Sequence, residues 1–157
     1  MKNNFLNIYN NLIKLTRNKN LYLNLKNNDT FSDRLVILLF HFAFFLNLYK
    51  NDITKKEAQD LFDCVIRQIE LSIREIGYGD VSVNKKMKDY VNLFYSILEN
   101  IENWELLDNS RKKALIANFI NINTNDDLIV KYFNKYHTFL LKNSFQIFIK
   151  DIIEIKF

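Results

Sequence analysis

Apolar residues recur at steps of three and four through most of the chain, and these periods predict seven helices. Phe5, Ile8, Leu12 and Leu15 make the first stripe, over about 3–18. Asp29 and Thr30, residue types that cap helix N-termini, precede a second helix over about 31–49. Its run from Leu35 to Leu46 is apolar on every face, as in a helix surrounded by protein or lipid. That run is about a dozen residues, against roughly twenty needed to span a bilayer. It is read as a buried central helix, with membrane insertion as the alternative. Thr54 and Glu57 form a capping-box pattern that opens a third helix over about 55–76. The stripe of that helix is Ala58, Leu61, Phe62, Val65, Ile69, Ile73 and Ile76. Its other face pairs Asp63 with Arg67 and Glu70 with Arg74 at a spacing of four, a solvated arrangement contributing a few tenths of a kcal/mol per pair.

The stretch Ile76-Gly77-Tyr78-Gly79-Asp80-Val81-Ser82 holds both glycines of the chain. Two glycines so placed imply torsions that a side chain would obstruct, and Gly77 suits the left-handed position that ends a helix. Asp80 or Ser82 then caps a fourth helix over about 83–103, with Met87, Tyr90, Val91, Phe94, Leu98 and Ile101 as its buried stripe. Lys85, Lys86 and Lys88 fall in its first turns, where the helix dipole opposes positive charge. Three shorter helices follow over about 110–121, 126–141 and 144–155, with caps near Asp108 and Thr124. Ile147, Ile149, Ile153 and Ile155 in the last also suit a strand, but a lone strand has nothing to pair with.

Composition narrows the picture. With no proline and two glycines in 157 residues, the turn chemistry of sandwiches and barrels is missing. The expected fold is all-α: one compact domain over 1–157, of six to seven helices around a central apolar helix. The net charge of +4 favours anionic partners without identifying one. Cys64, the single cysteine, forms no intramolecular disulfide, and the first residues lack a secretory signal pattern, so the expected compartment is the cytoplasm. Heavy use of Asn, Lys and Ile fits an AT-rich genome, which is an alternative explanation for the lysines near 85–88.

Catalytic chemistry finds few candidates. His41 lies inside the apolar run, where a histidine bonded to a neighbouring polar group is the ordinary case, and His137 reads as a partly exposed helix residue. One cysteine and two distant histidines do not make a zinc site, and Gly77 and Gly79 lack the third glycine of a dinucleotide loop. No enzyme, metal or cofactor is expected. The 74–82 segment before a lysine-rich helix has the outline of a helix-turn-helix DNA reader, but a turn of about six residues is too long, so no specific DNA partner is expected.

Asp29-Thr30-Phe31, Arg34, the Leu-rich run with His41, Leu61-Phe62-Asp63, the string from Arg74 to Val83, Lys85-Lys86-Met87-Lys88 and Phe94-Tyr95 together resemble the ubiquinol-cytochrome c chaperone family. The likeness runs in order from Leu21-Tyr22 to Asn118, and 74–83 is its most specific part. Gln68, Glu70, Ser32-Asp33-Arg34 and Ser96-Ile97 depart from the family pattern. The resemblance implies a non-enzymatic assembly factor of complex III whose client is cytochrome b. It also implies, as further candidates, the ribosome and a small partner protein; the basic charge and the apolar helix add peripheral contact with the inner membrane as a candidate. Arg74, Glu75, Gly77, Gly79, Asp80, Lys85 and Lys86 are the expected partner surface, with Asp29, Arg34, His41 and Asp63 as motif or structural positions.

Overall fold

The computed structural model describes residues 2–23, 25, 30–123, 127–151 and 153–155. Among them lie seven α-helices: α1 (Lys2–Thr16), α2 (Phe31–Tyr49), α3 (Lys55–Glu75), α4 (Asp80–Asn100), α5 (Asn109–Ala117), α6 (Leu128–Lys142) and α7 (Ile147–Lys150). Two 3-10 turns, Lys19–Tyr22 and Trp104–Leu106, were not expected. The described residues contain no strand, only an isolated antiparallel bridge between Leu25 and Ile122.

Local chemistry sets the helix starts. Thr30 accepts from the Asp33 amide, and Asp108 from the Arg111 amide. Thr54 and Glu57 close a reciprocal capping box, which draws the exposed Glu57 carboxyl below its ordinary range. Asp29 and Thr124, expected caps, lie outside the described residues.

Helix α2 is long and apolar enough to cross a membrane, yet protein surrounds it: every residue from Leu35 to Phe45 is buried. Its aromatic rings reach several of the surrounding elements. Phe42 stacks on Phe94 of α4 at 5.1 Å, Phe44 on Phe133 of α6 at 5.5 Å, Phe45 meets Phe148 of α7 edge-on at 4.9 Å, and Phe40 meets Phe119 at 5.6 Å. A helix with an apolar residue at nearly every angle requires partners at every angle. One continuous core results, from Ile8 through Ile153.

The C-terminal segment is shorter in helix than its periodicity predicts. Buried Asn11 of α1 donates to the carbonyls of Phe148 and Asp151 at 2.8 Å each and accepts from the Ile153 amide at 3.0 Å. Those three bonds satisfy backbone groups in the last turn of α7 and just beyond it without further helix or sheet, which resolves the helix-or-strand ambiguity of the isoleucine-rich end. Ile76, at the end of the expected α3 stripe, is half exposed instead of buried. Arg67 pairs with Glu70 at 3.6 Å, not with Asp63, which accepts from Gln59 at 2.9 Å.

Candidate functional site

Helices α3 and α4 form an antiparallel hairpin. Phe62 and Phe94 lie equally far along the sequence on either side of Tyr78, and their rings are still 5.5 Å apart. At 1.5 Å per residue that contact is about 20 Å from the turn, so the helices run side by side for most of their length. A helix-turn-helix reader crosses its helices at a wide angle instead. The turn itself, Ile76 to Gly79, has four residues, fewer than the six expected, so the side-by-side packing of the helices, and not turn length, separates this hairpin from a helix-turn-helix reader.

The turn is shorter because α4 begins at Asp80, not near residue 83. Gly79, at φ −71° and ψ 163°, occupies the N-cap position with no side-chain cap bond, so neither Asp80 nor Ser82 is the cap. Asp80 stands in the first turn of α4, where a negative charge matches the helix dipole. From there it accepts from Arg74 Nη1, while Arg74 Nη2 pairs with Glu70 Oε1 at 3.0 Å. Asp80 first, then Glu70, push the Arg74 guanidinium above its ordinary range. The two glycines differ. Gly77 has φ +105°, a conformation a side chain resists, whereas Gly79 is in the extended region open to any residue. A Cβ at Gly79 would meet nothing within 4 Å, so the expectation of obstructed torsions holds for Gly77 alone.

The lysine at 86 has a local partner: its ammonium lies 4.6 Å from the centre of the Tyr78 ring. A cation–π contact at a solvated site contributes about 0.5–1 kcal/mol, comparable to the dipole cost it offsets. Lys85 and Glu75 are exposed. Beside these charges stand three apolar side chains that charge and glycine patterns do not pick out: Ile76 at 52% exposure, Tyr78 at 43% and Val81 at 85%. The one signal in the sequence was that Val81 lies before the predicted stripe of Met87, Tyr90, Val91, Phe94, Leu98 and Ile101. The structure thus gathers Arg74, Gly77, Gly79, Asp80 and Lys86 at one end of the hairpin, flanked by Glu75 and Lys85.

The motif positions outside the hairpin lie elsewhere. Arg34 lines a trough between α1, α2 and α3, and Asp63 lines another between α1 and α3, shared with Cys64. Burial pushes the Cys64 thiol up, away from a reactive thiolate. Asp29 lies outside the described residues.

His41 is fully enclosed. Its Nδ1 lies 2.9 Å from the Ile37 carbonyl and 3.1 Å from Thr16 Oγ1, and its Nε2 lies 2.6 Å from the Tyr132 hydroxyl. A carbonyl only accepts, so Nδ1 carries the proton; Nε2 then accepts from the Tyr132 O–H. Thr16 is free to accept because its own hydroxyl donates to the Leu12 carbonyl at 2.8 Å. Burial lowers the His41 pKa to about 3, so the ring is neutral in the core and bonded to its neighbours as expected. Tyr136, whose hydroxyl donates to the His41 carbonyl at 3.0 Å, completes the network. His137 is buried, not partly exposed: its side chain sits against Phe44, 3.9 Å from Glu105, and burial lowers its pKa. Among the described residues no cluster of three or more His, Cys, Asp or Glu side chains is placed to hold a metal.

A family model described as ubiquinol-cytochrome C chaperone matches residues 23–136, a span that holds α2 to α5, the hairpin turn and most of α6. No curated protein and no solved structure matches the chain.

Proposed function

The chain belongs to the ubiquinol-cytochrome C chaperone family, and from that premise we propose that it is a non-enzymatic assembly factor whose client is cytochrome b on its way into complex III. The family match over residues 23–136 carries this reading. The protein works in the cytoplasm at the inner face of the membrane, where cytochrome b emerges, with the ribosome and a small partner protein as further contacts.

The client surface is the turn of the α3–α4 hairpin. Ile76, Tyr78 and Val81 offer exposed apolar area to an inserting hydrophobic chain, and Lys85 and Lys86 offer charge to acidic segments or ribosomal RNA. Binding through these side chains needs no chemical step. The sealed, neutral His41 supports a structural role for the most reactive group of the central helix.

Exchange of both Lys85 and Lys86 for glutamate in a strain dependent on this protein tests the surface. Cytochrome b accumulation falls while the thermal midpoint of the purified variant stays at the wild-type value. Normal accumulation with normal folding would remove the turn from the client surface.

A further inference from the structure

At the end of the hairpin opposite its turn, the end of α2, the start of α3 and the end of α4 enclose an open groove of about 550 Å³. Antiparallel packing brings the start of α3 beside the end of α4, about 28 Å along that helix from Asp80. Leu46, Ala58 and Leu98, all partly buried, supply the apolar lining. Tyr95 joins them at 52% exposure, its ring centre 5.7 Å from those of Phe62 and Phe94. Tyr95, Leu98 and Glu99 share one face of α4, and Glu102 follows in the turn after the helix. Both glutamates are exposed. Lys50 is the one cation among the described lining residues, and its ammonium lies 3.5 Å from Asn47 Oδ1. Among the described residues no ion pair takes up Glu99 or Glu102.

We propose that this groove is a docking site for a basic amphipathic helix of a partner protein, one that carries lysine or arginine beside an apolar face. The sign of the charge selects the partner. Glu99 and Glu102 lie where the carbonyl ends of α2 and α4 converge, and neither helix has a basic residue in its last turn to balance them. Against two carboxylates and two negative helix ends the lining sets Lys50 alone. The exposed Lys55 and Lys56 of α3 lie outside the lining, and the capping box of Thr54 and Glu57 already occupies the amide end of α3. A carboxylate at the negative end of a helix costs stability, and a cationic partner offsets that cost. Anionic headgroups and the phosphates of RNA are repelled by the same charges, so neither a bilayer nor a nucleic acid matches the groove. The lysine-bearing turn of a second copy matches it less well, because the exposed Glu75 and Asp80 come with those lysines. Tyr95 is the anchor: an exposed tyrosine held between two phenylalanine rings offers a large contact area and loses little freedom on binding. Apolar and acidic groups from Tyr95 to Glu102 extend over about 10 Å, the reach of two turns of a partner helix.

The groove is separate from the hairpin turn, and its test does not depend on cytochrome b. Fluorescence anisotropy of a labelled helical peptide with Leu on one face and Lys beside it is measured against the purified protein. A peptide of the same composition in scrambled order is the control. Charge reversal, Glu99→Lys with Glu102→Lys, places favourable charge at the end of α4, so the variant is expected to keep or raise the thermal midpoint. Saturable binding of the ordered peptide, reduced by added salt, weakened about tenfold or more by that charge reversal, and weakened by Tyr95→Ala but not by Tyr95→Phe, supports the proposal. Equal binding of the ordered and scrambled peptides overturns it. So does equal binding by wild type and the charge-reversed variant. Self-association of the wild type that charge reversal abolishes, with no peptide binding, likewise overturns it, in favour of a second copy of this chain.

Discussion

At His41 three hydrogen bonds meet inside a shell of aromatic rings, while at the α3–α4 turn an ion pair of similar length lies open to water. Both places interrupt the pattern around them, one with a polar ring in an apolar run, the other with two glycines in a chain that otherwise avoids them. In the core every polar atom of the imidazole has a partner, so the interruption fixes how α1, α2 and α6 pack. At the turn the same kinds of group are bonded to each other in high dielectric, where they hold a shape at little energetic consequence and leave apolar side chains exposed. The contrast assigns stability to the first place, and the proposed client surface lies at the second.

The strongest way to break that assignment is His41→Leu. It leaves the buried Tyr132 hydroxyl without its acceptor and Thr16 without its donor, and each loss costs on the order of 1–3 kcal/mol. Chemical denaturation is expected to show a loss of about 3 kcal/mol. A loss under about 1 kcal/mol would mean that water or a repacked side chain meets those groups equally well.

The pH dependence sharpens the same point. Folded His41 titrates at about 3, against 6.5 for the unperturbed ring, so between these values the unfolded state binds more protons than the folded one. Stability therefore rises with pH across this window and is lost as pH falls below 6.5. At about 1.4 kcal/mol per pH unit, the drop from pH 6.5 to 5 is about 2 kcal/mol. The slope of unfolding free energy against pH in that range reads it, and His41→Leu should remove most of it. An unchanged slope in the variant would place the acid sensitivity elsewhere, with His137 the next group to test.

Smaller effects divide the two glycines. Gly77→Ala forces a side chain to φ +105° and is expected to cost about 1 kcal/mol, read as a lower thermal midpoint. Gly79→Ser places a good capping hydroxyl in an extended conformation with open space around it, and is expected to gain a few tenths of a kcal/mol. Equal and large losses in both variants would mean that the turn is held by something other than the torsion of Gly77.

What the sequence made legible follows the range of the interactions. The caps at Thr30, Thr54 and Asp108 act over three residues, and all three form as their local patterns predict. The enclosure of α2 was readable because an apolar residue at every angle needs partners at every angle, and the polar flanks of a run of about a dozen residues favoured protein over lipid as those partners. The partner of His41 was not, since Tyr132 is 91 positions away and nothing local to either residue names the other. The burial of His137 depends on α2 through Phe44, which is just as remote in sequence from its partner. At the hairpin the glycines drew attention correctly to the turn, but only the backbone geometry separates Gly77, which needs its freedom, from Gly79, which does not. The exposure of Ile76, Tyr78 and Val81 emerged from where α4 starts, three residues earlier than the periodicity places it.

A photo-crosslinking residue at Val81, compared with one at the exposed Arg111 of α5, tests the turn as the client surface most directly. In growing cells the account predicts a crosslink to newly made cytochrome b from position 81 that is absent, or much weaker, from position 111. A crosslink of equal strength from both positions, or none from 81 in a variant that still supports cytochrome b accumulation, would contradict it.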